Sequence, residues 1–246
     1  MNPRHRLLLL SSSRTAGTEF LQHARGHIVG FLEDRARRAV FLPYATVLYS
    51  HDEYTERVCE WFAQSGHAMS GLHRAADPVE ALSNADLIVL GGGNTFYLLH
   101  ELYRLELIEP LRRRVAEGVA YIGWSAGSNV ACPTIRTTND MPIIWPAHSE
   151  ALALIPFQLN PHYTDIHPPG HQGETRDERL AEFTRLNPEI PVLGLREGSA
   201  LHVEDGRIRL LGAHKARIFH GKRSWDAAPN SWLDGVLQDD VDAETR

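Results

Sequence analysis

Cysteine is nearly absent from this 246-residue chain: Cys59 and Cys132 stand far apart and form no CxxC spacing. That excludes a disulfide framework and a thiolate zinc site, and it fits a reducing compartment. Long apolar runs are missing too. The run near the start, Leu7 to Leu10, covers four residues, too few for a signal-peptide core or a membrane span, so a cytoplasmic protein with no membrane partner is expected. Charge of one sign is nowhere concentrated: the formal net charge is −6, with no run of five or more like charges, and nucleic-acid binding is not expected. Lysine occurs only at Lys215 and Lys222, a bias towards arginine that carries no functional information. Internal repeats and low-complexity tracts are lacking as well.

What is present is a 43% hydrophobic chain of 246 residues, long enough to bury one core and short enough that a single domain over 1–246 is the expectation. Short apolar runs at 7–10, 39–44, 86–90, 120–123 and 192–195 read as buried strands. Between them, residues 53–63, 95–102 and 107–116 carry apolar side chains three and four apart, as helices packed on a sheet do. The alternation predicts an α/β three-layer sandwich with a mostly parallel, doubly wound sheet. Seven prolines break the pattern from 133 to 173, and so long an irregular stretch suggests function. Helix signals resume where Thr175 and Glu178 have capping-box spacing, which puts Arg176 in a first turn. Asp205-Gly206 marks a hairpin between 200–203 and 207–211; the core is expected over about 5–220, with a frayed tail over 236–246.

The sharpest local pattern is Gly123-Trp124-Ser125-Ala126-Gly127 after an apolar strand. A strand that turns abruptly into a helix forces its central residue into strained angles, and glycines beside it avoid collisions, so Ser125 is the candidate nucleophile. A serine needs a base. His162, in Asn160-Pro161-His162-Tyr163, lies in the irregular stretch and is the candidate. The third member must be a carboxylate that accepts from the other imidazole nitrogen. Asp140 lies between Ser125 and His162, and Glu197, just past the strand at 192–195, competes with it. Gly91-Gly92-Gly93-Asn94-Thr95 also follows a buried strand, but it lacks the third glycine of a nucleotide fingerprint. An oxyanion hole of Gly92 or Gly93 with the amide of Ala126 fits better, with Asn94 as a helix cap and a substrate-binding candidate. His162, His167 and His171 have no helix to align their rings, so no metal is expected. Pro168-Pro169-Gly170 and Gly173 have the composition of a mobile lid.

Five strings, 91–96, 123–128, 137–142, 160–162 and 173–176, occur in order. Together they resemble the peptidase E family, the aspartyl dipeptidases among the cyanophycinase-related serine peptidases, and the likeness runs from about Leu7 to Phe219. The resemblance implies a fold like the class I glutamine amidotransferases and hydrolysis of dipeptides with an N-terminal aspartate through an acyl-enzyme. It also implies that no metal or organic cofactor is used. Carried onto this sequence, the charge-relay residues fall on Ser125, Asp140 and His162, with an acidic residue near Glu197 also described close to the family's site. Arg176 becomes the candidate grip on the aspartyl carboxylate, because a guanidinium can pair with a carboxylate in two parallel hydrogen bonds. A cyanophycinase, an esterase of the α/β-hydrolase type and a non-catalytic binder of small acidic ligands are the alternatives. A monomer and a homodimer are equally compatible with the pattern.

Overall fold

The computed structural model describes residues 4–33, 38–167, 169–170, 172–235 and 237; Pro168, His171 and the tail from 238 lie outside these. In chain order the elements are β1 (Leu7–Leu10), α1 (Arg25–Leu32), β2 (Ala39–Leu42), α2 (His51–Ala63), β3 (Met69–Gly71), α3 (Pro78–Ser83), β4 (Leu87–Leu90), α4 (Thr95–Arg104), α5 (Ile108–Ala116), β5 (Ala120–Trp124) and α6 (Ala126–Asn129). There follow β6 (Gln158–Pro161), α7 (Arg176–Leu186), β7 (Val192–Leu195), β8 (Ala200–Glu204), β9 (Arg207–Leu211), β10 (Ala216–His220) and β11 (Arg223–Ala227).

A seven-stranded sheet runs in the order β3-β2-β4-β5-β1-β8-β9, parallel from β3 to β1 and antiparallel at β8 and β9. Successive side chains on a strand face opposite ways, and here both faces are apolar. Leu8, Leu10, Phe41, Val89 and Ile122 pack with Ile28 and Phe31 of α1 and Val58 and Phe62 of α2. Leu7, Leu9, Leu42, Leu90 and Tyr121 pack on the other face with Leu98 of α4 and Leu111 of α5. Burial on both faces is why these strands read as unbroken apolar runs, and the expected mostly parallel, doubly wound sandwich is what forms.

The run at 192–195 belongs elsewhere. As β7 it joins a second sheet of four strands, β11-β10-β7-β6, so the single sheet of the sequence reading needs correcting. Leu159, Leu193, Leu195 and Ile218 from this second sheet enter the same core cluster as Leu7 and Leu9. The proline-rich stretch thus contains a strand, β6, which ends on Pro161.

At the end of β5 the chain turns straight into α6, stitched on all sides. Ser128 Oγ shares its one proton between the carbonyls of Leu10 (2.7 Å) and Gly123 (2.9 Å), Tyr121 Oη donates to Gly127 O (2.6 Å), and Asn129 Nδ2 donates to Leu159 O (2.9 Å). The helix lies so close to β4 that a Cβ on Gly127 would sit 2.2 Å from the Leu90 carbonyl oxygen. Gly127→Ala is therefore expected to lower stability by about 2–3 kcal/mol through overpacking, read as a lower urea midpoint; an unchanged midpoint would contradict this close approach.

Cys132, fully buried just beyond α6, receives the Leu159 N–H on its sulfur at 3.1 Å, and burial pushes its thiol up from 9.0 to about 12. The unfolded thiol ionises at lower pH than the folded one. Its stabilising contribution is thus complete below pH 9 and is lost as pH rises from 9 towards 12. At pH 8, iodoacetamide is expected to spare Cys132 in the native protein and to modify it after denaturation. Native labelling at Cys132 would show that the sulfur is accessible.

Candidate active site

Ser125 sits between β5 and α6 with φ 52° and ψ −113°. A non-glycine residue held there stores about 1–3 kcal/mol of strain. Three side chains, Tyr121, Ser128 and Asn129, each donate a hydrogen bond that holds α6 in place, and at about 1 kcal/mol each they offset it. The strained turn presents Oγ to the imidazole of His162, whose Nε2 is 2.9 Å away.

The second sheet delivers His162. β6 and β7 are parallel, and Pro161 is in register with Leu195, so the residues that follow the two strands emerge at the same end. His162 follows Pro161 directly, with φ 55°, and Glu197 lies two residues past Leu195. Glu197 Oε1 is 2.7 Å from His162 Nδ1. The His162 backbone N–H donates to Ser11 Oγ (2.9 Å), and that hydroxyl donates to the Leu195 carbonyl (2.7 Å). Ser11, immediately after β1, thus ties the large sheet to both strands that carry the imidazole and the carboxylate.

Asp140 does not reach His162, which corrects the primary expectation for the third residue. Its Oδ2 accepts from the backbone N–H (2.7 Å) and hydroxyl (2.5 Å) of Thr95, the first residue of α4, and from Thr138 Oγ1 (3.2 Å). The positive end of a helix suits a carboxylate in this way. Asp140 still borders a small cavity of about 20 Å³ with Ser125 and His162. Its neighbour Asn139 accepts from Asn160 Nδ2 (2.7 Å) and donates to Pro161 O (2.7 Å), so the loop braces the end of β6.

The glycine loop lies on the other side of Ser125. Gly93 has φ +145°, and a Cβ there would meet the Ala45 carbonyl oxygen at 2.2 Å. The Gly92 carbonyl accepts from Tyr54 Oη (3.1 Å), which in turn accepts from Trp124 Nε1 (2.9 Å). In a trans peptide the Gly93 N–H points opposite to the Gly92 carbonyl, so Tyr54 and Trp124 set the direction of that donor. Gly92 and Gly93 border a cavity of about 260 Å³ together with Ser125 and His162. Ala126 opens α6, where backbone N–H groups have no intrahelical partner. Asn94 is a cap: its Oδ1 accepts from Tyr97 N (3.0 Å) and its Nδ2 donates to Met141 O (2.9 Å). Both polar groups of Asn94, expected as a cap and a substrate-binding candidate, thus contact backbone.

Arg176 lines a separate cavity of about 580 Å³, bordered by residues 164–167, which start two positions after His162. The carboxylates there face other cations: Asp165 pairs with Arg196 (2.7 Å), which holds it below the usual range, and Glu174 pairs with Arg179 (3.4 Å). Asp177 receives the Tyr163 hydroxyl and lies 3.4 Å from Arg217. Arg176 is half-buried, and that desolvation, followed by repulsion from Arg179, lowers its pKa. Among the described residues no group of three His, Cys, Asp or Glu side chains is placed to hold a metal ion, and His171 of the histidine trio lies outside them. Among them, too, no helix is long and apolar enough to cross a membrane.

Comparison with known proteins bears on this arrangement. A peptidase E of Nostoc sp. is 45% identical over 234 residues, covering 95% of this chain and 97% of that one. A peptidase E of Shewanella amazonensis is 51% identical over 216 residues, covering 88% and 92%. The crystal structure of a peptidase from an acI-B1 Actinobacterium superposes with a TM-score of 0.68 at 17% identity, over 93% of this chain and 96% of that one, which shows a shared fold. The profile of Peptidase family S51 matches residues 7–211. With that match and near-full-length relatives at about half identity, the chain belongs to peptidase family S51 and is a peptidase.

Proposed function

We propose that this peptidase hydrolyses dipeptides with an N-terminal aspartate, in the cytoplasm, through a Ser125-His162-Glu197 relay. The observation that carries the relay is the continuous line from Glu197 Oε1 through both ring nitrogens of His162, at 2.7 and 2.9 Å, to a serine hydroxyl at a strained turn. Ser125 Oγ attacks the aspartyl carbonyl carbon as its proton passes to His162 Nε2. Glu197 accepts from Nδ1, which selects the tautomer with a free Nε2 and stabilises the imidazolium that forms. The oxyanion is held by the N–H groups of Gly93 and Ala126, with Gly92 at the loop's apex. Nε2–H then protonates the leaving amine, and water releases the acyl group by the reverse sequence.

The preference for aspartate rests on the family resemblance and on Arg176. A partly desolvated guanidinium whose neighbouring carboxylates are engaged elsewhere is relieved by an incoming anion, and the aspartyl side chain supplies one. Residues 164–167, which line that cavity, follow His162 closely in the chain.

Release of aspartate from Asp-Leu is expected for the wild type, with a loss of at least about 10⁴-fold in Ser125→Ala; survival of activity in that variant would sink the relay. Glu197→Gln is expected to lower kcat about 10²–10⁴-fold by the argument that applies to any triad acid. Asp140→Asn should act mainly on stability, by about 1 kcal/mol at the start of α4. The reverse ranking in kcat would return the role to Asp140. For Arg176→Ala, KM for Asp-Leu is expected to rise about 10–100-fold, and an unchanged ratio of Asp-Leu to Leu-Leu cleavage would remove Arg176 from the specificity site.

A further inference from the structure

The cavity of about 260 Å³ on the glycine-loop side of Ser125 has a cationic outer wall that the relay leaves unused. Its inner border holds Ser125, His162 and Gly93, and its outer border holds Arg14, Arg57 and Tyr49. Both arginines are exposed, and among the described residues neither forms an ion pair. Glu53, one turn before Arg57 on α2, attracts it without forming a close ion pair, because its Oε2 is held in the capping box by Ser50 N (2.7 Å) and Ser50 Oγ (2.9 Å). Arg57 instead lies over the Tyr49 ring, 5.2 Å from its centroid. Tyr49 meets Tyr54 edge-on at 5.3 Å, and Tyr54 in turn holds the Gly92 carbonyl. The guanidinium therefore stands on the same aromatic wall that orients the glycine loop.

We propose that Arg14 and Arg57 bind the free α-carboxylate of the residue released by cleavage, which makes this cavity the subsite for the second residue of the dipeptide. The inference rests on the peptide-hydrolysis reading and adds to it a preference for a free C-terminal carboxylate. A dipeptide that begins with aspartate carries two carboxylates, and the described arginines without carboxylate partners include one in the Arg176 cavity and two here, beyond Ser125. The leaving amine must also face the group that protonates it, and His162 borders this cavity. At about 260 Å³ the space is smaller than the ~300–1,000 Å³ of sites for drug-sized ligands, so it suits one amino acid and not a peptide extension. Phe20 and Tyr49 give that residue's side chain an apolar wall, which favours leucine over an acidic second residue.

The test compares kcat/KM for Asp-Leu and for its C-terminal amide on each protein sample, so that partial unfolding of a variant cancels from the ratio. The wild type is expected to prefer the free acid by about 10–100-fold. The double variant Arg14→Ala/Arg57→Ala should lower that preference at least about tenfold, mainly through KM for the acid. Arg57→Lys, which keeps the charge without the fork, should retain part of it. An acid-to-amide ratio near one in the wild type, or a ratio unchanged in the double variant, would overturn the assignment. So would a double variant that loses its preference for Asp-Leu over Asn-Leu instead, which would assign the arginines to the aspartyl side chain. Those outcomes leave Asp-Leu cleavage by the wild type intact, whereas absence of that cleavage would sink the hydrolytic reading itself.

Discussion

The parallel pairing of β6 with β7, in the register that sets Pro161 beside Leu195, is the constraint on which the site depends. It makes two chain segments leave the second sheet side by side, so an imidazole on one and a carboxylate on the other meet without a long loop to hold them. The serine comes from the other sheet, at the end of β5. The Ser125 hydroxyl and the His162 imidazole are therefore as well aligned as the junction between the two sheets. That junction is specific: Ser11 bonds both the His162 amide and the Leu195 carbonyl, Asn129 of α6 bonds the β6 carbonyl at Leu159, and leucines of both sheets share one core.

Energetically the proposed relay contributes little to folding. His162 and Glu197 have 40% and 52% of their side-chain surface exposed, and such a pair contributes at most about 1 kcal/mol. Its proposed role is orientation. The stabilising contributions lie behind it, in a fully buried layer that includes Trp124, Tyr121 and Phe41. Trp124 also acts on the site directly: its indole N–H holds the Tyr54 hydroxyl that fixes the Gly92 carbonyl. One side chain of the elbow motif thereby couples the strand that leads to Ser125 to the loop that faces it.

Much of this was legible in the residues alone, and the exceptions have physical reasons. The strands at 7–10, 87–90 and 120–124 are buried on both faces, so their apolar runs are visible locally, and the capping box at Thr175 and Glu178 forms as its spacing predicts. The elbow and the triple glycine were legible because close backbone approach demands glycine there. The second sheet was hidden because Gln158–Pro161 is four residues long, largely polar and ends in proline, which gives no period to detect. The choice between Asp140 and Glu197 turns on strand register, and neither spacing nor residue type encodes it; a carboxylate two residues past a buried strand was the available signal. Ser11 and Tyr54 escaped notice for the opposite reason, since a serine after a strand and a tyrosine on the inner face of an amphipathic helix look like ordinary packing.

The most direct test of the relay is to treat the protein with a fluorophosphonate, which phosphonylates an activated serine, and to locate the adduct by peptide mass spectrometry in the wild type and in His162→Ala. The account predicts a single adduct on Ser125 that forms in the wild type and fails to form without the imidazole. An adduct on another serine, or equal labelling of Ser125 in both proteins, would contradict it.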